Sequence, residues 1–306
     1  MKYMTKEWYD TVQTINFHYP LKISKTTEFF SKSTFEKLYQ KEEKAWLQGQ
    51  KEMASVKLED VFPKEFCMIQ TLGTPVTSEE LEKVKNKYSE TRAQMLLENE
   101  KNPYVFNLEK EKKNFKKNLQ SKVKYLKEKL PEYILQKVAD IRVLALDYTT
   151  AEVKKDITRF CKANEKSSRD TVKAYWRGYE QKFKDSEPAF AREFDFHDYR
   201  VMSCRQKGKD LFLGFDGVTG GDINISGIIF KDYTIITKDK PIRGAYWLYD
   251  EIYKRGDGYE IHILLWAKKP LELTIYVMNV EFMLVPSPNQ MLLRKGDIIL
   301  LQNFIK

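Results

Sequence analysis

The feature that most constrains the fold of this chain is a change in hydrophobic periodicity near residue 188. Up to about Lys184 apolar residues recur at the three- and four-residue spacing of amphipathic helices, whereas beyond Glu193 they alternate with polar residues as in β-strands. The strand segments follow one another without intervening helices, which favours antiparallel pairing. We therefore predict an α+β protein. Residues 1–188 form an N-terminal helical domain with antiparallel helices, and residues 189–306 form a C-terminal antiparallel β domain (sandwich, open barrel or curved meander) with a terminal hairpin.

The composition of the 306 residues is that of a globular protein, with 42% hydrophobic and 32% charged side chains. No apolar run approaches the ~20 residues that a membrane-spanning helix needs, and the opening MKYMTKEWYD lacks the apolar region of a secretory signal. The three cysteines, Cys67, Cys161 and Cys204, form no C-x-x-C pair, which is typical of reduced thiols. We therefore expect a cytoplasmic protein that contacts no membrane and holds no metal and no cofactor.

Capping residues and prolines predict where the helices begin and end. Thr5 is placed to cap a first short helix, and Ser33–Glu36 has the spacing of a capping box at the start of a long one. Asn102–Pro103 ends a helix, because proline disfavours helical geometry at the preceding residue. After Pro131, apolar residues at helical spacing predict one helix that continues through Ala145.

In the second half, alternating patterns bounded by Gly, Pro and Asp predict strands and turns. The predicted strands are Phe194–Val201, Asp210–Phe215, Ile223–Phe230, Tyr233–Thr237, the two arms of a hairpin within Ala245–Trp266, and Leu271–Leu284. The hairpin is predicted by Gly256-Asp257-Gly258, with Gly256-Asp257 as its two-residue loop. With that loop Glu251 lies opposite His262, and Trp247 lies opposite Trp266.

The predicted hairpin has two different faces. One is an apolar core candidate, whereas the other combines aromatic rings with carboxylates and an imidazole, a combination enriched in binding sites. The candidate partner-binding residues on this mixed face are Trp247, Tyr249, Glu251, Tyr253, Glu260, His262 and Trp266. The alternative is that the helical half packs over the mixed face and makes it interdomain core. Asp250 does not fit the apolar face, so we expect it at a sheet edge, paired with another group, or displaced by a one-residue slip in register.

A second candidate surface is the lysine-rich helix predicted from about Leu108 to Leu130. Between Glu109 and Lys129 it contains nine Lys and three Glu, and residues 1–189 hold 37 of the 53 Lys and Arg but 29 of the 44 Asp and Glu. Such an excess favours contact with a nucleic acid. The residues that would make this contact are Lys116, Lys117, Lys122 and Lys124. A solvated helix face has the same composition.

Two histidines raise the question of catalysis. His197-Asp198 is the shortest sequence typical of a metal-dependent phosphohydrolase, but neighbouring residues of a predicted strand point to opposite faces and do not easily chelate one ion. Glu251 opposite His262 has the arrangement of a carboxylate that orients a general base, and equally that of a cross-strand ion pair. We therefore expect a protein without catalytic residues, and a hydrolase centred on His197 is an alternative.

Five short sequence segments, taken in their order along the chain, resemble segments of a known group of proteins. They are Lys2–Tyr9, Asp140–Tyr148, Phe196–Tyr199, Trp247–Tyr253 and Gly258–His262. On these segments the chain, to about residue 284, resembles an uncharacterised conserved family of Gram-positive bacterial proteins, whereas residues 286–306 do not share the resemblance. The family has no established function, so the resemblance implies no activity.

The hypothesis that joins these observations is a non-enzymatic binding or regulatory protein. Its partner would be a bacterial protein, as for an immunity-like or stress-related inhibitor, and the mixed face of the hairpin or its junction with the helices would make the contact. A nucleic-acid-binding protein that uses the lysine-rich helix is the first alternative, and the hydrolase is the second.

Overall fold

Helices fill the first half of the chain and antiparallel strands fill the second in the computed structural model, which describes residues 1–64, 78–184, 187–216 and 224–285. The predicted α+β class is therefore confirmed. The α-helices are α1 Lys6–Val12, α2 Lys32–Ser55, α3 Leu58–Val61, α4 Ser78–Lys101, α5 Leu108–Lys129, α6 Glu132–Leu135, α7 Ile141–Ala145 and α8 Ala151–Phe183. Short 3₁₀ helices cover Lys25–Thr27 and Ala189–Glu193.

Helix boundaries follow local capping. The hydroxyl of Thr5 caps α1 and accepts a hydrogen bond from the backbone N of Trp8 at 3.2 Å. Helix α4 ends at Lys101, directly before the predicted Asn-Pro break. Helix α2 begins slightly earlier than predicted, because its cap is Ser31, whose hydroxyl accepts from the backbone N of Thr34 at 3.2 Å.

The single helix predicted after Pro131 is wrong, because this segment forms two short helices, α6 and α7. The carboxylate of Asp140 accepts a hydrogen bond from the backbone N of Arg142 at 2.9 Å and thereby caps α7. The guanidinium of Arg142 donates to the same carboxylate at 2.7 Å. A short polar side chain that bonds to nearby backbone therefore starts a new helix where apolar spacing alone predicts a continuous one.

Residues 17–158 form one of two compact units. Its centre is a hydrophobic cluster of Phe115, Val143, Leu146 and Tyr148. Aromatic residues of α2, including Trp46, pack against this cluster and are partly buried, so the apolar stripes of α2 and α5 face each other here. Two short strands, β1 (Lys22–Ile23) and β2 (Tyr148–Thr149), pair in parallel within the same unit.

The remaining described strands form two four-stranded antiparallel sheets. They are β3 Val201–Lys207, β4 Asp210–Phe215, β5 Asn224–Lys231, β6 Thr234–Lys238, β7 Tyr246–Arg255, β8 Gly258–Trp266, β9 Pro270–Val277 and β10 Asn279–Val285. One sheet has the order β10-β5-β4-β3, and the other has the order β6-β9-β8-β7. Residues of both sheets share one hydrophobic core, so the β domain is a sandwich, which is one of the three predicted forms.

Two predicted strands are wrong in extent. The segment predicted as a strand from Phe194 becomes regular only at Val201, because a turn at His197-Asp198 precedes it. The segment predicted as one strand from Leu271 to Leu284 is two strands, β9 and β10, which lie in different sheets. Its apolar pattern continues through the junction without a Gly or Pro, so the sequence carries no turn signal there. The predicted terminal hairpin lies beyond residue 285, outside the described residues.

The sandwich belongs to a second compact unit, which also includes the N-terminal segment. This unit joins Met1–Asn16 with the described residues from Arg159 onward, whereas the sequence predicts one boundary near residue 188. The two segments of helix are part of this unit because they pack on the sheets, as the contact between the rings of Trp8 and Tyr249 illustrates. An amphipathic helix joins the unit that buries its apolar side, whatever its position in the chain.

Candidate functional site

The β7–β8 hairpin has the register that its glycine-containing turn predicts. Gly256-Asp257 is the two-residue loop, closed by the pair Arg255 and Gly258. Gly256 has a positive φ of 56°, which glycine adopts without steric cost. Glu251 lies opposite His262, as predicted. The turn therefore determines which side chains of the hairpin share a face, from the loop back to the middle of β7.

Trp247 departs from the predicted pattern. A β-bulge at Leu248 shifts the register, and Trp247 pairs with Leu265. Tyr246 takes the place opposite Trp266, so the predicted opposition of Trp247 and Trp266 is wrong. The indole of Trp247 is completely buried in the core of the sandwich. It lies in a different layer from the other candidate residues because a bulge adds one residue and reverses the alternation of faces.

The other six candidate residues share the predicted face, but the N-terminal helix α1 covers that face. The ring of Trp8 meets Tyr249 edge-on, with 4.9 Å between the ring centroids. The ring of Tyr9 lies 5.7 Å from that of Trp266. Aromatic pairs at these separations are favourable packing contacts. The mixed face is therefore interior to this unit, and the segment that covers it is the N-terminus of the chain.

Glu251 is the most buried polar group of this covered face, with no exposed surface. Its carboxylate accepts hydrogen bonds from three consecutive backbone N–H groups, those of Lys2 (2.8 Å), Tyr3 (2.9 Å) and Met4 (2.5 Å). The hydroxyl of Tyr253 donates to the same carboxylate at 2.6 Å. Successive backbone N–H groups around one anion form a nest. The contact fixes the N-terminal segment to β7, which is a structural role for Glu251.

His262 has a different carboxylate partner from the one expected. Its Nε2 lies 2.7 Å from Oε1 of Glu260 on the same strand, and its Nδ1 lies 3.4 Å from Oγ1 of Thr274. Burial lowers the pKa of His262, although the hydrogen bond to Glu260 acts in the opposite direction. The neutral imidazole is therefore favoured at pH 7. Glu251 lies opposite His262 in the strand register, as predicted, but its carboxylate makes no hydrogen bond to this imidazole, so the expected carboxylate–imidazole interaction between the two side chains is not present.

A cavity of about 450 Å³ lies beside β7, the outermost strand of its sheet. Helix α8 supplies one wall through the rings of Tyr175, Trp176 and Tyr179, and the hairpin supplies another through Tyr249 and Asp250. The sequence patterns did not indicate that Trp176 and Tyr179 lie beside Asp250. The available signal was the cluster of three aromatic residues within five positions of an otherwise polar helix.

A hydrogen bond between helix α8 and strand β7 fixes the relative position of two walls of the cavity. The hydroxyl of Tyr175 accepts from the backbone N of Ile252 at 3.0 Å. An edge strand leaves such N–H groups without a strand partner, so this bond satisfies a donor that the sheet does not. Burial raises the pKa of Tyr175 above its usual value, which keeps the phenol protonated. The position of α8 along β7 is therefore defined by a specific polar contact.

The charged residues that line the cavity are acidic, with the imidazole of His197 beside them. Asp250 accepts a hydrogen bond from the indole Nε1 of Trp247 at 3.0 Å. It lies on the edge strand and is paired, which are two of the three predicted outcomes for this residue. Burial raises the pKa of Asp250 to about 7, and the nearby charges of Asp195 and Glu251 act in the same direction. Asp195 and Asp250 therefore face a cavity to which the described lining residues contribute no Lys or Arg.

His197 lies at the cavity with its side chain 49% exposed, and its Nδ1 is 3.2 Å from Oδ2 of Asp198. Asp198 has a positive φ of 68°, so the pair occupies a turn and not the predicted strand. In the described ranges, no group of three or more His, Cys, Asp or Glu side chains is placed to hold a metal ion. The pair lacks there the additional ligands that a metal-dependent hydrolase needs.

Helix α5 presents exposed lysines within the unit of residues 17–158. Lys116, Lys117 and Lys124 are exposed. Lys117 and Lys124 are seven residues apart and therefore lie on one side of the helix. Lys122 is different, because its Nζ lies 2.6 Å from Oδ1 of Asp147 in a half-buried ion pair. Three of the four candidate lysines are thus exposed to solvent, although Nζ of Lys124 lies 3.8 Å from Oε1 of Glu128 in a surface ion pair.

The family described as protein of unknown function (DUF4085) matches residues 105–277, which is more than half of the chain. The matched range includes α8, the β7–β8 hairpin and all the residues that line the cavity except Met4. Comparison with curated proteins gave no match, and comparison with solved structures gave none. Among the described helices, none is both long enough and apolar enough to cross a bilayer. The expectation of an uncharacterised family is confirmed, and the family brings no activity with it.

Proposed function

We propose that this protein, which belongs to the DUF4085 family of proteins of unknown function, is a non-enzymatic binding or regulatory protein that recognises a protein partner through the cavity beside β7. The observation that carries the proposal is this cavity of about 450 Å³, since ligand sites typically measure roughly 300–1,000 Å³. The cavity replaces the hairpin face as the candidate site, because α1 covers that face.

The aromatic lining of the cavity supports recognition of a partner. Trp176 lines the cavity and is 50% exposed. Tryptophan has a large apolar surface and is highly buried on average, so this exposure is unusual. Tyr179 and Tyr249 also line the cavity and are only partly buried. Partly exposed aromatic side chains in a concave site are the usual anchors of protein interfaces. A partner residue that enters between α8 and β7 would bury all three.

The experiment that tests this function compares two aromatic substitutions on the same unit. Trp176→Ala removes a wall of the cavity, whereas Tyr246→Ala removes a 43% exposed ring on β7 that does not line it. Proteins captured from a lysate of the source cells are identified, purified and titrated against each variant by calorimetry. We expect Trp176→Ala to weaken binding by about tenfold or more and Tyr246→Ala to leave it unchanged. Equal affinities for the two variants would place the partner site elsewhere.

The proposed setting is the cytoplasm of a Gram-positive bacterium, with a partner from the same cell, as for an immunity-like or stress-related inhibitor. The resemblance of five sequence segments supports the bacterial origin. Cys204 is a free thiol, which is common in reducing compartments. Cell fractionation followed by immunoblotting tests the location, and recovery of the protein in the secreted or membrane fraction would contradict it.

The lysine face of α5 supports nucleic-acid binding as the second candidate function, because Lys117 and Lys124 are exposed on one side of the helix. In this case the logarithm of the binding constant should fall linearly with the logarithm of salt concentration, by about 0.9 for each phosphate contact to B-DNA. Charge reversal at both positions should abolish binding, and reversal of the exposed Lys173 on α8 should not. Affinity that is independent of salt would exclude this function.

A further inference from the structure

We propose that the cavity beside β7 binds an organic cation, namely the guanidinium or ammonium group of a basic side chain. That the cationic group belongs to a side chain of a protein partner rests on the proposed function. The preference for a cation has a separate basis, which is the chemistry of the residues that surround the space.

The first argument is an imbalance of charge. Asp195 and Asp250 both line the cavity, and among the lining residues that the structure describes none is Lys or Arg. Asp250 uses Oδ1 to accept from Trp247, and its Oδ2 has no hydrogen-bond partner among the residues that the structure describes. Two neighbouring carboxylates without a counterion repel each other, so a cation between them is favoured. An entering anion would meet the same charges and be repelled.

The second argument is the aromatic lining. The faces of Trp and Tyr rings attract cations through their quadrupole, and cages of such rings recognise ammonium groups. Tyr175, Trp176 and Tyr249 line the same space as the carboxylates. A neutral apolar ligand would use the rings but would offer no hydrogen bond to Oδ2 of Asp250 while excluding water from it, which is unfavourable. A cation with an apolar stem can contact both the aromatic rings and the carboxylates.

The raised pKa of Asp250 links the protonation of this carboxyl group to the binding of a cation. Burial is its largest cause, and repulsion from Asp195 and Glu251 adds to it. A guanidinium or ammonium group at Oδ2 would favour the ionised carboxylate. The carboxyl group of Asp250 is therefore more fully ionised when the cation is bound than when the cavity is free.

The test uses a pair of ligands that differ in charge but not in shape. N-acetyl-arginine methylamide is titrated into the full-length protein by calorimetry, and N-acetyl-citrulline methylamide, its neutral isostere, is the matched control. N-acetyl-lysine methylamide tests whether ammonium serves as well as guanidinium. We expect saturable binding of the arginine derivative at concentrations on the order of 1 mM and binding of the citrulline derivative about tenfold weaker or less. Equal binding of the two, or no saturable binding of either cation by about 50 mM, overturns the inference.

Substitutions assign the binding to the cavity. Asp195→Asn and Asp250→Asn each replace an ionisable carboxyl group by a neutral amide with little change in volume, and Asp257→Asn does the same at an exposed position in the β7–β8 turn. We expect each of the first two to weaken binding of the arginine derivative by about threefold to tenfold, and Asp257→Asn to leave it unchanged. Asp250 is partly buried, and the amide oxygen of Asn can still accept the hydrogen bond from Trp247, so we expect Asp250→Asn to fold, and circular dichroism checks this. Unchanged affinity in both cavity variants overturns the inference.

The outcomes separate this inference from the proposed function. Putrescine, a free diamine, is titrated in parallel. If putrescine binds in the cavity more tightly than the arginine derivative, and no protein partner depends on Trp176, the cation site is supported and the proposed binding of a protein partner is wrong. If a purified partner depends on Trp176 but binds equally well to Asp195→Asn and Asp250→Asn, the proposed function stands and the cation site is wrong.

Discussion

Replacement of Glu251 should detach the N-terminal segment and destabilise the unit that contains the sandwich. The buried carboxylate accepts three backbone hydrogen bonds, from residues 2–4, and one from Tyr253. Alanine at this position leaves four donors without an acceptor. Hydrogen bonds to a charged group contribute about 1.5–3 kcal/mol each, so their full loss would exceed the free energy of unfolding of many domains.

The segment can respond by leaving the sheet and regaining water, and this limits the loss. Detachment exposes the amides to solvent but also gives up the contact of Trp8 with Tyr249. Removing one member of a buried charged interaction typically destabilises by about 3–5 kcal/mol, and we expect Glu251→Ala to fall in this range. Glu251→Gln keeps one acceptor oxygen but places its NH₂ group among N–H donors, so we expect about half of that loss.

Two measurements on the purified protein check this expectation. Urea unfolding followed by circular dichroism gives the free energy of unfolding, and hydrogen exchange gives the protection of the amides of residues 2–4. Glu260→Ala is the matched control, because Glu260 lies on the same face but bonds to the side chains of Arg255 and His262. It should lose less than about 1.5 kcal/mol and leave those amides protected. A Glu251→Ala protein within about 1 kcal/mol of the wild type, with unchanged amide protection, would refute the reasoning.

Three further predictions concern the neighbourhood of the cavity. Because burial raises the pKa of Asp250 to about 7 from 3.8, the folded state holds a proton that the unfolded chain has released between these values. The wild type should therefore lose about 2–4 kcal/mol of stability as the pH rises from about 4 to 7, and Asp250→Asn should lack this loss in urea unfolding. Trp247→Ala, at a completely buried indole, should lower the free energy of unfolding by about 3–5 kcal/mol; a loss below about 1 kcal/mol would contradict its place in the core. Tyr175→Phe leaves the backbone N of Ile252 without its acceptor and should lower stability by about 1–3 kcal/mol in the same assay, with increased exchange of that amide.

The parts of the fold that could be predicted are those set by local sequence. The change of periodicity marks where helices give way to strands, and Gly256-Asp257 sets the hairpin loop because only a few turns join adjacent strands. The pairing of Glu251 with His262 across the strands follows from that loop by counting. The cap at Thr5 depends on a hydrogen bond that spans three residues. In each case the physical cause lies within a short stretch of chain.

The parts that could not be predicted depend on contacts between distant residues. The bulge at Leu248 lets Trp247 enter the core of the sandwich, and nothing in the alternating pattern marks the extra residue. The candidate site joins Trp176 of a helix to Asp250 of a strand, and sequence spacing carries no information on that proximity. Asp140 shows the same limit on a smaller scale, because whether a polar side chain interrupts a helix depends on the hydrogen bonds it finds.

The nest around Glu251 has a consequence for the order of events during synthesis. Lys2 and Glu251 are separated by 249 positions in the chain, and a ribosome releases residues in sequence. Residues 17–158 contain their own core and can close it while later strands are still being made. Residues 2–9, by contrast, are made before that unit but have no docking place until β7 emerges, and their aromatic rings remain in water until then. This segment is thus among the last of the described parts to reach its final position.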